Sequence, residues 1–491
     1  MLSLPTQNPW WLKAEAIESD SKIVEFLENP VKWEPRIKFV FNMEADSVYT
    51  LRGPRQVGKT TLLKLLIRDL LRRDVDPRKI FYWACDLIEG PKGLVNIVED
   101  FLELNRFNEE RRYIFLDEIS AVKDWQRGIK HLHDTGRLHN TTLILTGSHS
   151  LDIRRAAERL PGRRGQSTGP VDKVLLPMKF AEYVEARDKE LERLIDDLDL
   201  RRADKRIALI EEMTKGEIPR TLDELSLYSD RLYAHFNDYL ITGGVPRSIN
   251  DYARYGEIRQ ETYSTYVQVT IGDILRWDKR EIYIAQLLKR VIDTLSSQVS
   301  WRSLRKGTDI GHETTVSDYI DVLKSSFILC PLYVLDRSRR GPNYSKEKKI
   351  HFRDPFIFHA LNGWVNQTPS YPETLNFLSG EGKTRLVESV VCDHLIRLAY
   401  NIYPTDEFEP TMNLMYWKSK KSEVDFVIKT NAEYIPFEVK YSSSFTRGEI
   451  NGIYSLTNGY RDTNGIVITR DLMSKEKGVI SIPAHIFLTL I

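Results

Sequence analysis

The run Gly53-Pro54-Arg55-Gln56-Val57-Gly58-Lys59-Thr60-Thr61 constrains the fold of this chain more than any other stretch. It fits the pattern G-x-x-x-x-G-K-[ST], and its flanks agree with that pattern. Val48-Tyr49-Thr50-Leu51 reads as a buried strand, and Leu62 to Leu71 reads as a leucine-rich helix. A strand–loop–helix order closes backbone N–H groups around phosphates at the positive end of the helix. All nine residues from Gly53 to Thr61 are therefore expected to line a nucleotide phosphate site. Lys59 would pair with the β- and γ-phosphate oxygens, and the Thr60 hydroxyl would bind Mg²⁺. A chance match in a glycine-containing loop is the alternative, and the flanking strand and helix argue against it.

Hydrolysis needs a carboxylate near the metal and a group that orients water. Tyr113-Ile114-Phe115-Leu116 reads as a buried strand ending in Asp117-Glu118. The carboxyl end of a strand is where parallel α/β sheets place their ligands. Asp117 is the expected Mg²⁺ ligand, and Glu118 the group that polarises water. The alternative is a solvated acidic turn. Thr142 to Leu145 is a further strand, followed by Thr146, Gly147 and Ser148; Ile80 to Asp86 is the strand between. Thr146 and Ser148 would sense the γ-phosphate or position the water; helix capping is the other role open to them. Strands alternating with helices from about 45 to 150 imply a doubly wound parallel α/β sheet. Arginines crowd the next segment, where Arg163 and Arg164 lie on a Gly/Pro-rich turn. They are candidates for an arginine finger, in cis or on a neighbouring subunit; the alternative is a solvated charged face.

In this order, the strings GPRQVGKTTLLK, YIFLDEI, LILTGS, LPGRRG and LLPMKFAEY resemble the AAA-type P-loop ATPases of archaea and bacteria that carry a C-terminal domain of unknown function. Phe236 to Pro246, with its Gly243-Gly244-Val245-Pro246 turn, is similar to the same family. The resemblance covers nearly the whole chain and implies ATP and Mg²⁺ as cofactors. Four regions are expected: an ATPase core over 1–185, a helical lid over 186–280, a winged helix over 281–360, and a last α/β domain over 361–491. Arg187 to about Asp223 is a highly charged insertion, expected as an exposed helical pair. The aromatics Tyr228, Tyr233, Phe236, Tyr239, Tyr263 and Tyr266 are expected in a helical core.

Two helices over 281–310 lead to Thr315-Val316-Ser317-Asp318, where a Thr cap precedes apolar positions 316, 319, 320 and 323. Phe327 to Cys330 and Lys349 to Phe352 read as strands around a basic tip at 337–349 that includes Tyr344. Helix–turn–helix followed by a basic hairpin is a winged-helix pattern. One reading is double-stranded DNA, with a helix in the groove, the wing on phosphates and Tyr344 as a stacking platform; the other is protein contacts only.

Leu414 to Trp417, Glu423 to Ile428 and Tyr434 to Lys440 read as three strands after a helix opening at Gly382. Glu438 and Lys440 share a face, because strand side chains alternate. Asp425 and Glu438, with Glu388 and Lys440, would form a second divalent-metal site. The ordered set resembles the restriction-endonuclease-like fold with its D…E-x-K signature. Activity does not follow from that fold, and the alternatives are a retained structural charge cluster or a metal-free partner-binding domain.

Composition excludes several classes. The net charge is +1 over 491 residues, which argues against a uniformly basic nucleic-acid coat. Cys85, Cys330 and Cys392 are too few for a disulfide framework, and a reduced, cytoplasmic setting is expected. No apolar run approaches the roughly 18 residues of a membrane span, and the N-terminus lacks a signal-peptide layout. The main expectation is a Mg²⁺-dependent AAA-type ATPase, acting as a DNA-associated remodeller or a nucleotide-driven switch, with homo-oligomerisation open. The alternatives are an ATP-gated metal-dependent DNA nuclease and a non-catalytic ATP-binding scaffold. Glu118 argues against the scaffold, which needs no water-orienting acid.

Overall fold

Side-chain alternation along the first strands explains the layering of the N-terminal part. The computed structural model describes residues 4–105, 110–147, 170–403, 410–430, 434–457 and 464–491. It divides into two compact units, Met1–Leu176 and Pro177–Ile491.

In the first unit, β1 (Ser47–Arg52), β2 (Ile80–Ala84), β3 (Arg112–Asp117), β4 (Thr141–Gly147) and β5 (Asp172–Val174) form one sheet in the order β2-β3-β4-β1-β5. Every pairing is parallel. Apolar residues point both ways, so each face buries its own core. Tyr49, Leu51, Tyr82 and Phe115 pack under the Lys59–Arg72 helix with Leu62, Leu66 and Ile67. Val48, Phe81, Ile114, Leu116 and Leu143 pack on the other side, against Leu94, Phe101, Trp125 and Ile129. The doubly wound sheet read from the sequence is thus the fold of this unit.

The N-terminal residues have a role the sequence did not announce. Asn8 pairs with edge strand β2 through both main-chain groups of Tyr82: the Tyr82 N–H donates to Asn8 Oδ1 at 2.7 Å, and Asn8 Nδ2 donates to Tyr82 O at 3.1 Å. The indoles of Trp10 and Trp11 both donate to Ile80 O. These bonds cover an edge that would otherwise invite pairing.

The second unit begins with helices from Phe180–Arg187 to Gln260–Leu275. The charged insertion forms three helices, Lys189–Asp197, Ala203–Thr214 and Arg220–Ser226, rather than an exposed pair. Each buries an apolar side, including Leu191, Ile195, Leu209, Met213, Leu222 and Leu225, which is why the segment does not stand off in solvent. Phe236, Tyr239, Tyr263 and Tyr266 are core residues as expected, whereas Tyr228 and Tyr233 are only partly buried. Gly243 and Gly244 are required by close approach. A Cβ on Gly244 would lie 2.1 Å from Met178 O, and one on Gly243 would lie 2.2 Å from Asp354 Oδ1. The Gly244 N–H donates to Asp354 Oδ2 at 2.6 Å. Asp354 in turn caps the Pro355–Asn366 helix through the Phe356 N–H.

Helix Glu281–Asp293, β6 (Gln298–Val299), helix Trp301–Arg305, helix Glu313–Ser325, β7 (Leu329–Asp336) and β8 (Gly341–Phe352) follow in order. Val316, Tyr319, Ile320 and Leu323 are buried as the periodicity predicts. The helix starts two residues earlier than the expected Thr cap, with His312 at its N-cap, so Thr315 lies in its first turn. β8 runs well into the basic stretch, so only 337–340 form the turn.

Beyond the Gly382–Ile402 helix come β9 (Leu414–Lys418), β10 (Glu423–Lys429), β11 (Tyr434–Lys440), β12 (Ile466–Thr469), β13 (Ser474–Glu476) and β14 (Val479–Pro483). One nine-stranded sheet, β13-β14-β12-β11-β10-β9-β7-β8-β6, joins them to the preceding hairpin through a parallel β7–β9 contact at Val334 and Tyr416. Among the described residues, no helix is long and apolar enough to cross a membrane.

Candidate functional sites

The first site lies at the carboxyl ends of β1, β3 and β4. Because β4 sits between β1 and β3, Thr146 stands between the phosphate-loop strand and the acidic strand. Asp117 is 6% exposed and collects three hydroxyls. Thr60 Oγ1 donates to Oδ2 at 2.7 Å, Tyr82 Oη to Oδ2 at 3.0 Å, and Thr146 Oγ1 to Oδ1 at 2.5 Å. The Glu118 N–H donates to Thr146 Oγ1 at 3.0 Å. Thr146 therefore orients both acids. Glu118 has left-handed backbone, φ 52°, which turns its side chain away from the strand direction. Its Oε1 meets Arg55 Nη2 at 3.3 Å and accepts from Ser120 Oγ at 3.1 Å.

The loop suits a phosphate. Gly58 has φ 98°, and Gly53 passes so close to Leu175 O that a Cβ would lie 2.1 Å from it. Lys59 heads the helix, and its ammonium donates to the carbonyls of Gly53 and Pro54, each at 2.9 Å. Gln56 Oε1 is buried with no hydrogen-bond partner. Thr60 and Asp117 supply hard oxygens, the donor type Mg²⁺ prefers. These residues fit ATP with Mg²⁺. Behind them, Lys64 lies 3.1 Å from Asp20 and 3.4 Å from the Tyr82 ring centroid; burial holds its pKa below the usual lysine value. Tyr82 and the Arg55–Glu118 pair had not been singled out, since no local motif links β2 or the loop to the tip of β3. Ser148, Arg163 and Arg164 lie outside the described residues.

The second cluster is in the other unit. Glu388 on the Gly382–Ile402 helix, Asp425 on β10, and Glu438 and Lys440 on β11 come together as their pattern implied. Lys440 Nζ donates to Glu438 Oε1 at 2.8 Å, the Asp425 N–H donates to Glu438 Oε2 at 3.2 Å, and the Val439 N–H donates to Asp425 Oδ2 at 3.0 Å. Lys349, placed by the sequence in a basic strand, also joins the cluster, together with Glu423. Lys349 on β8 is 4% exposed, and its ammonium lies 2.8 Å from Asp425 Oδ1, 2.6 Å from Glu423 Oε1 and 3.4 Å from Glu388 Oε1. Among the described residues, no group of three or more histidine, cysteine, aspartate or glutamate side chains is arranged to hold a metal.

Burial, then the Asp425 charge, pushes Glu388 and Glu438 each up to about 8. Burial opposes ionisation of Asp425 too, but Lys349 holds it below the usual aspartate range. Burial would likewise neutralise Lys349, yet Asp425, Glu388 and Glu423 hold its pKa well above the usual value. The cluster therefore balances its charge internally.

The basic stretch splits by face. Lys348 and Lys349 are buried, and Lys348 sits 4.3 Å from the Trp301 ring centroid. Arg337, Arg339, Arg340 and Lys346 are exposed. Tyr344 is 54% exposed and packs edge-on against Tyr333 at 4.7 Å. The exposed side of helix Glu313–Ser325 carries Glu313, Asp318 and Asp321.

Comparison with known proteins agrees with this division. Residues 45–184 match the family model for an AAA domain. Residues 233–368 and 383–487 match two models for domains of unknown function, DUF8612 and DUF4143. The chain thus carries an AAA domain over residues 45–184, followed by regions whose families have no assigned role. An uncharacterized protein of Methanocaldococcus jannaschii is 29% identical over 150 residues, 30% of this chain and 29% of that protein's length. Among solved structures, the Walker-type ATPase of Pyrococcus abyssi is similar over 71% of this chain and 95% of its own, with 15% identity and a TM-score of 0.38. The Aeropyrum pernix Orc1 protein, solved in complex with DNA, is similar over 75% of this chain and 98% of its own, with 17% identity and a TM-score of 0.31.

Proposed function

We propose that the chain is a Mg²⁺-dependent ATP hydrolase whose turnover drives a switch in its C-terminal regions. The observation that carries this reading is the shared hydrogen-bond set on Asp117. One carboxylate takes the hydroxyls of Thr60 and Thr146, while the next residue, Glu118, is positioned through the same Thr146. A pure nucleotide-binding scaffold gains nothing from a second, separately oriented acid. Lys59 and the loop N–H groups would hold the β- and γ-phosphates; Thr60 and Asp117 would hold the magnesium, which offsets charge on the phosphate oxygens. Glu118 would orient water and accept its proton as it attacks phosphorus in line. Arg55 keeps that carboxylate paired until a phosphate competes for the guanidinium. Arg163 or Arg164, from this chain or a second copy, would supply further positive charge. Phosphate release from ATP by the wild type and by Glu118→Gln tests the reading: turnover should be lost in the variant with nucleotide affinity kept, and undiminished turnover would sink it.

A role on DNA is supported by the helix–helix–hairpin order over 281–352, read as a winged helix, and by the exposed Arg337, Arg339 and Arg340 of its turn with Lys346 on β8. The acidic outer face of helix Glu313–Ser325 weighs against groove insertion. The version supported best is phosphate contact through the hairpin tip, without base readout by that helix. The helices over 186–280 would act as the lid.

A further inference from the structure

We propose that Lys349 is the resident cation held by Glu388, Glu423 and Asp425, so that this restriction-endonuclease-like domain works without a divalent metal and does not cut nucleic acid. This goes beyond the ATPase reading and does not rest on it.

The geometry carries the inference. Three carboxylates, from the Gly382–Ile402 helix and from two positions of β10, converge on one ammonium at 2.6 to 3.4 Å. An ammonium has three protons to give, which matches the three acceptors. Oxygens of Asp425, Glu438 and Glu423 near the centre are also engaged. Asp425 Oδ2 takes the Val439 N–H, and Glu438 uses Oε1 for Lys440 and Oε2 for the Asp425 N–H. A hard dication needs several oxygens at about 2.0–2.6 Å. Here it would have to displace those donors and sit against a buried positive charge.

Lys349 is also poorly placed to withdraw. It does not lie on a loop. β8 is flanked by β7 and β6, with Lys349 in register with Leu332 on one side and Gln298 on the other. Gln298 itself hydrogen-bonds Glu423. Shifting the backbone that carries it means breaking strand pairing on both sides, and withdrawing the ammonium alone would leave Asp425 and Glu423 without their buried counter-charge. The lysine does positive work instead: it fastens the hairpin to the nuclease-like strands at the point where the nine-stranded sheet joins them.

The test uses the full chain, stripped of nucleotide and metal, titrated with Mn²⁺ and read by electron paramagnetic resonance. Wild type and Asp425→Asn should bind the same number of Mn²⁺ ions, because Asp425 ligates none. Lys349→Met removes the charge and keeps the length; it should gain one Mn²⁺ that Lys349→Met/Asp425→Asn lacks. An additional Asp425-dependent Mn²⁺ in wild type would overturn the proposal. So would Asp425-dependent cleavage of DNA by wild type, or a folded Lys349→Met that binds no more Mn²⁺ than wild type. If Lys349→Met does not fold, judged by circular dichroism, the wild-type and Asp425→Asn pair decides alone.

Discussion

At the residue scale, chemistry concentrates on a few polar atoms held by the ends of strands. Lys59→Ala removes the one ammonium placed at the phosphate loop, and nucleotide affinity should fall about 100-fold or more, since charge-assisted phosphate contacts are strong. Fluorescent-nucleotide titration reads that loss, and affinity within a few fold of wild type would exclude the site. Thr146→Val keeps volume but deprives Asp117 of a donor and Glu118 of its acceptor. Turnover should drop about 10–100-fold while ATP binding changes little, because misplaced catalytic groups cost rate before affinity; a parallel loss of both would mean that Thr146 only supports the loop. Lys59, Thr60, Asp117 and Glu118 were legible in the sequence because motif and strand end are short-range features. Tyr82, the Arg55–Glu118 pair and Lys349 were not. Each meets its partner across strands tens of residues apart, and no local pattern encodes that meeting.

At the element scale, short glycine-containing turns and strand pairing decide which segments pack. Gly244→Ala forces a methyl into Met178 O, so the second unit should lose about 1–3 kcal/mol, the range of core overpacking. Urea unfolding read by hydrogen exchange in the Gly382–Ile402 helix measures it, and a loss under 0.5 kcal/mol would show that the turn shifts freely. The exposed cations of the β7–β8 turn and of adjoining β8 belong to the same scale. If they contact DNA phosphates, replacing Arg337, Arg339, Arg340 and Lys346 together should lower the slope of log affinity against log salt by up to about 4, roughly 1 per contact. An unchanged slope would remove the hairpin from any DNA interface. Helix and strand identities were largely readable from periodicity. The lengths of β7 and β8 were not, because the polar run from Gly341 to Glu347 has no apolar alternation; Gly341 to Asn343 pair with β7, and the register then jumps to Lys348 across an irregularity.

At the scale of the whole molecule, buried histidines tie the second unit to pH. His394 accepts from the Phe180 N–H at 2.9 Å through Nε2, which assigns its proton to Nδ1, facing Val390 O at 2.8 Å. Burial, then the Arg397 charge, lowers its pKa to about 3; His351 is likewise lowered to about 3 and His359 to about 4, chiefly by burial. Their ordinary value is 6.5. Below that pH the unfolded chain takes up protons that the folded unit refuses. The histidines' contribution to stability is therefore full above 6.5 and is lost as pH falls toward 3, by about 1.4 kcal/mol per pH unit for each histidine. His394→Gln should make the fall between pH 6.5 and 5 shallower by one such contribution, and an unchanged slope would mean that His394 already titrates in the fold.

The sequence by itself determined the phosphate loop, its strand and helix, the acids at the next strand's end, and the ordered Glu388, Asp425, Glu438 and Lys440. Each of these is specified by residues close in the chain or by the period of a single element. Only the tertiary structure decided that Thr146 would orient both acids, that the N-terminal tryptophans would cover the β2 edge, and that the hairpin and the last strands would share one sheet. The same is true of Lys349. Read along the chain, it is one more charge in a basic run. The pairing of β8 between β6 and β7 sends it into the acidic cluster, because strand register fixes which face each side chain takes.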